Sequence, residues 1–124
     1  MKKAIALEEA SQFVFSLFIL HVLFPWHAGY ILVFFLPDLF AIGYFINRKT
    51  GSMAYNLAHH KGLALALITS GFLLKMDGLL LYGILFYGHS SFDRMLGYGL
   101  KFQDSPNHTH LGYIGKEKYK NLAG

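Results

Sequence analysis

Apolar residues run through this chain in four long blocks separated by short polar breaks. The blocks cover about residues 4–24, 30–46, 52–74 and 78–97. Each is close to the roughly 20 apolar residues, with about 17 as a lower limit, that cross a hydrocarbon layer as a helix. The first block ends at Pro25-Trp26-His27, and the later breaks are Asn47-Arg48-Lys49-Thr50-Gly51 and Lys75-Met76-Asp77. Connections this short join antiparallel neighbours. The pattern predicts an all-α fold: one integral membrane domain over residues 1–124, built as a four-helix transmembrane up-down bundle. A short cytoplasmic tail, residues 101–124, follows, with turn residues at Asp104-Ser105-Pro106-Asn107.

Composition supports the membrane class. The chain is 54% hydrophobic and only 15% charged, where a soluble domain carries roughly 25% charged residues. The formal charge of +4 does not imply nucleic acid, because the cations sit at the ends of apolar blocks and form no stripe among exposed aromatics. Lys2 and Lys3 precede the first block, Arg48 and Lys49 separate the second and third, and Lys101, Lys116, Lys118 and Lys120 follow the fourth. The remaining breaks hold only Lys75. By the positive-inside rule both termini face the cytoplasm. The N-terminal lysines and apolar run resemble a signal peptide, but Glu8 and Glu9 interrupt the run and no small-x-small cleavage site follows, so a retained first helix is expected. The absence of cysteine excludes a disulfide framework, a thiolate metal site and a cysteine nucleophile.

Ionisable residues inside apolar blocks are costly and mark functional sites. Placed by depth at about 1.5 Å per helical residue, Glu8, Asp38, Asn56, His59, His60, His89 and Asp93 fall between the midplane and the cytoplasmic face. His89 and Asp93 are four apart and share one helix face. Imidazole and carboxylate are ligands for zinc, iron or manganese. The expected site is therefore a nitrogen and oxygen centre for a divalent metal, drawn from Asp38, His59 or His60, His89 and Asp93, with His108 or His110 folding back from the tail. The competing reading is a set of interhelical hydrogen bonds, each contributing about 0.6 to 2 kcal/mol. His21 and His27 lie near the outer end of the first block and read as interfacial.

Over nearly its whole length the chain resembles the bacterial family called domain of unknown function 4260. The resemblance is carried by Pro37-Asp38, Gly43-Tyr44, Tyr55-Asn56-Leu57-Ala58-His59, His89 through Phe92-Asp93-Arg94, Gly97-Tyr98-Gly99-Leu100-Lys101 and Thr109-His110-Leu111-Gly112. It implies His59 rather than His60, and His110 rather than His108, as site residues, and it accommodates Glu8 as an early acidic position. It implies no activity. A weaker likeness links Pro37-Asp38, a mid-chain histidine and His89-x-x-x-Asp93 to inner-membrane metal-dependent hydrolases. The chain departs from that pattern: Phe40 stands where a second aspartate falls, and His60-Lys61 where His-Arg falls.

The expected function is a metal-assisted hydrolase, or a related enzyme, acting on a lipid or another small membrane-embedded substrate. Asp38, His59, His89, Asp93 and His110 are the expected metal ligands, with His110 closing the site. Glu8 is the expected general base, and Arg94 would steady an anionic group. One alternative is a proton-coupled carrier, which with four spans would need a homodimer to build a pathway. The other is a structural or partner-binding membrane protein.

Overall fold

The computed structural model describes residues 1–115, so Lys116, Lys118 and Lys120, used above for orientation, lie outside the described residues. The described part is mostly helical: α1 is Lys2–Leu23, α2 Gly29–Phe35, α3 Arg48–Ala58, α4 Lys61–Leu74 and α5 Asp77–Met95, with a 3₁₀ segment at Leu36–Phe45. The last described stretch is not a plain tail. It forms a two-stranded antiparallel hairpin, β1 (His108–Thr109) and β2 (Gly112–Tyr113).

Helix α5 is the central element, packed on α1, α2 and α4. Its buried face includes Leu80, Ile84 and Leu85, which with Leu20 of α1 make the apolar core. Glycines let these helices approach closely. A side chain at Gly71 would collide with the Leu80 backbone, and one at Gly83 would collide with Ile68 and the Ala64 carbonyl. Tyr98 N–H bonds the Asp93 carbonyl at 2.8 Å and Gly97 takes φ +93°, a Schellman-type end that holds the last turn of α5 in place.

The structure differs from the four-span bundle in two places. The second apolar block is not one α-helix. Pro37 has no N–H to donate and its ring crowds the carbonyl four residues back, so α-helical bonding stops at Phe35 and the chain continues as 3₁₀. The third block is two helices, α3 and α4, bent by 44° at the break. His60 there adopts an extended backbone (φ −84°, ψ 114°), and its Nδ1 accepts from Leu63 N–H. By capping a new helix start, His60 ends the old one. With only 14 residues, α4 extends about 21 Å, short of the roughly 30 Å of a hydrocarbon core. Among the described residues, α1 is the single helix long and apolar enough to cross a membrane, or one of two if α3 and α4 count together as a broken span.

Candidate metal centre

The two irregularities bring the site together. The 3₁₀ segment begins around Pro37 and carries Asp38 in its first turn. The break after α3 leaves His59 at that helix's C-terminal end. His89 and Asp93 stand one turn apart on α5, and His89 is fully buried. His59 Nε2 lies 3.3 Å from Asp38 Oδ1 and 3.2 Å from Asp93 Oδ2. His89 Nε2 lies 3.1 Å and 3.3 Å from the same two atoms. The two Nε2 atoms are 3.1 Å apart. One ligand atom from each residue thus lies within 4.8 Å of all the others, and this cluster can hold a metal ion.

The separations of the two imidazole nitrogens from each other and from the carboxylate oxygens match coordination geometry. Metal–ligand bonds of about 2.0–2.1 Å in a tetrahedral site place the ligands about 3.3 Å apart, and octahedral bonds of about 2.1 Å place adjacent ligands about 3.0 Å apart. The hydrogen bonding around the cluster points the same way. His59 Nδ1 is 2.8 Å from the Tyr55 carbonyl, which can only accept, so Nδ1 carries a proton and the neutral ring turns its Nε2 lone pair inward. This is the outer-shell arrangement that orients ligating histidines. Two neutral imidazoles and two carboxylates carry two negative charges, of which Asp93 is largely buried and Asp38 half-exposed, and a cation among them would offset that charge. Protonating both rings would remove that charge but would set two cationic N–H groups 3.1 Å apart, facing each other. A divalent cation satisfies all four groups at once.

The surroundings fix the ligands. Tyr55 stacks on the His59 ring with centroids 3.8 Å apart, and its hydroxyl approaches Asp93 Oδ2 at 3.5 Å. Phe34 and Phe35 meet the His89 ring edge-on at 5.2 Å and 6.1 Å. His89 Nδ1 is buried with no hydrogen-bond partner among the described residues. The Lys101 ammonium sits 4.2 Å above the Tyr55 ring centroid. Desolvation holds its pKa below the ordinary lysine value, while Asp93 and Asp38 oppose that shift. Asn56 fastens this segment to α3: its Nδ2 donates to the Lys101 carbonyl at 2.7 Å, and Lys101 N–H donates to its Oδ1 at 2.6 Å. Asp38 is the open side, with half its side chain exposed (51%) against 0% for His89.

Of the residues singled out from sequence, the structure brings together Asp38, His59, His89 and Asp93 and leaves the others elsewhere. Glu8 is exposed on α1. Arg94 and His110 line a different cavity, shared with Lys2 and Lys3. His110 Nδ1 accepts from Leu100 N–H at 2.8 Å, and partial desolvation followed by the Arg94 charge holds the His110 pKa below its ordinary value. His108 bonds Asp104 at 2.8 Å and stacks on Tyr113. This contact, with His108 as first cause, holds the Asp104 carboxyl below the usual range. The sequence reading passed over Lys101 as a neighbour of the site, and it passed over Glu9. Glu9 is buried in an ion pair with Lys61, whose ammonium also donates to Gln12 at 2.6 Å; Tyr87 donates to the same Gln12 oxygen. A signal for Glu9 was present: Glu9, Ser16 and Leu20 recur at helical spacing and are the buried residues of α1.

The chain matches the family described as "Domain of unknown function (DUF4260)" over residues 2–114 and belongs to it. No curated protein and no solved structure matches.

Proposed function

We propose that this protein is an integral membrane protein carrying a divalent metal centre of Asp38, His59, His89 and Asp93, and that it hydrolyses a lipid or another membrane-embedded substrate. The observation that carries the reading is the convergence of two imidazole and two carboxylate atoms at 3.1–3.3 Å. A metal bound there supplies a polarised substrate oxygen and an acidified water. Asp38 turns Oδ1 toward both imidazoles and is half-exposed, so its second oxygen accepts the proton of an attacking water. Lys101, within electrostatic reach of Asp38 and Asp93, steadies an anionic substrate group, the role the sequence reading gave to Arg94.

The membrane part of the reading rests on the surface. Large apolar side chains face outward on several elements, among them Leu32, Phe45 and Leu73, each more than three-quarters exposed. A soluble monomer rarely leaves so many large apolar side chains this exposed. The cations Lys2, Lys3 and Arg94 gather at the end where α1 starts and α5 stops. Lys75 and Asp77 lie with Leu23 and Pro25 at the other end. This asymmetry favours a cytoplasmic N-terminus in a bacterial inner membrane.

The test is elemental analysis of detergent-purified protein by plasma mass spectrometry, beside His89→Ala and the milder Asp38→Asn. About one zinc, iron or manganese per chain, lost in His89→Ala while the circular dichroism is retained, supports the centre. Chelator-sensitive release of fatty acid or headgroup from phospholipid in mixed micelles, abolished in Asp38→Asn, supports the reaction. Metal-free protein after reconstitution with each ion would reduce the quartet to a hydrogen-bonded group and end the hydrolase reading.

A further inference from the structure

We infer that the cavity between the start of α1 and the end of α5 binds a phosphate-bearing anion, at a site separate from the metal centre. The cavity has a volume of about 470 Å³, within the roughly 300–1,000 Å³ typical of small-molecule sites. Lys2, Lys3 and Arg94 line it with His110, and no carboxylate does. Arg94 is half-buried, and its guanidinium makes no hydrogen bond or ion pair among the described residues. A planar five-donor fork left without an acceptor is suited to phosphate.

The chain around the cavity prepares it for negative charge. Leu100 N–H donates to His110 Nδ1, so that nitrogen holds the lone pair and the neutral ring keeps its proton on Nε2, as a donor. The helix end that would repel an anion is closed off: Leu96, Gly97 and Tyr98 N–H groups bond the carbonyls of Phe92, Asp93 and Arg94. The cations therefore meet no carboxylate within the cavity lining, the Glu9 charge reaching His110 only from outside it. Apolar walls that include Ile5 and Leu96 lower the dielectric around them and strengthen the attraction to an anion. They also leave room beside the phosphate for an organic substituent. Two sources offer this chemistry: a lipid with a phosphate monoester headgroup, and free inorganic phosphate.

The experiment uses the full chain in phosphatidylcholine nanodiscs at fixed ionic strength. Phosphatidic acid is added to the disc in one arm and inorganic phosphate to the solution in the other, and saturable binding is read by calorimetry and by the rise in Tm. Saturation by phosphatidic acid alone identifies a headgroup, and saturation by inorganic phosphate identifies the free anion; each supports the site. Arg94→Gln is expected to weaken binding by about tenfold or more, as the loss of a charge-assisted bidentate contact does. Lys75→Gln, at the opposite end, is expected to leave binding unchanged. No saturable binding in either arm, or equal weakening by Lys75→Gln, overturns the site. Folded Arg94→Gln that binds as well as the natural protein also overturns it. Metal content measured on the same samples is expected to stay at the natural level in Arg94→Gln, so failure here and failure of the metal centre are read separately.

Discussion

The polar clusters around Glu9 and around His89 are built on opposite principles. The cluster of Glu9, Lys61, Gln12 and Tyr87 satisfies itself: an acid meets a base, and the amide oxygen accepts from both the ammonium and the phenol. It ties α1 to the start of α4 and to α5. The cluster of Asp38, His59, His89 and Asp93 is built differently: two carboxylates and two imidazole Nε2 atoms, each able to ligate a cation, meet at one point, and His89 Nδ1 has no partner among the described residues. A buried group that pairs internally has a structural explanation, whereas convergent groups that are all known metal ligands make a binding explanation testable.

That contrast can be broken first at its strongest point. Under the proposed function, chelator treatment or His89→Ala is expected to abolish metal content and the proposed hydrolysis together. Chelation is also expected to lower stability, by about 4 kcal/mol if the metal is present at a thousandfold excess over its dissociation constant; Tm with and without chelator measures this. If Tm is unmoved by chelator, the quartet is as self-sufficient as its neighbour.

The next effect belongs to the self-satisfied cluster. Glu9→Leu or Lys61→Met alone leaves a charge buried without its partner and is expected to cost about 3 kcal/mol, while metal content stays unchanged. The double change Glu9→Leu with Lys61→Met is expected to recover most of that loss, since replacing both ends of a buried pair by apolar groups is often neutral. A double mutant as unstable as the sum of the singles would show that the pair itself, rather than the orphaned charge, holds the helices.

Smaller effects sharpen the boundary of the metal cluster. Asn56→Ala removes two hydrogen bonds to Lys101 and is expected to cost about 1–3 kcal/mol. It should accelerate amide exchange at Lys101 and reduce activity without releasing metal. At the weak end, Asp104→Ala removes an exposed contact to His108 and is expected to leave Tm and metal content where they were, as solvent-screened pairs usually do.

Family membership was readable along the chain, and so were the four residues that cluster, although the expected ligand set also included His110, which lies elsewhere. His89 and Asp93 are four apart, and a helix alone places them on one face, so the centre of the site is a matter of local geometry. Pro37-Asp38 and Tyr55 through His59 were recognisable as motifs. What the one-dimensional pattern misjudged was continuity. Long apolar blocks read as unbroken spans, because hydropathy does not register that Pro37 converts a helix to 3₁₀ or that His60 caps a new one. Those two interruptions swing Asp38 and His59 toward α5. The same limit explains Glu8 and Glu9: adjacent acids have identical hydropathy, and about 100° of helical rotation sends one to the surface and the other to Lys61.

The sequence by itself determined the membrane-like composition, the helical class, the types of side chain available as ligands and the pair of them on one helix, because these follow from residue chemistry and a period of 3.6. Only the tertiary structure supplied the reason that His59, the histidine the family resemblance implied, faces inward while His60 caps α4. It also separated Arg94 and His110 from the quartet into a cationic cavity of their own, and laid Lys101 over Tyr55. Each of these depends on where helices end and what they pack against. That is settled by capping bonds and interhelical contacts between residues far apart in the chain.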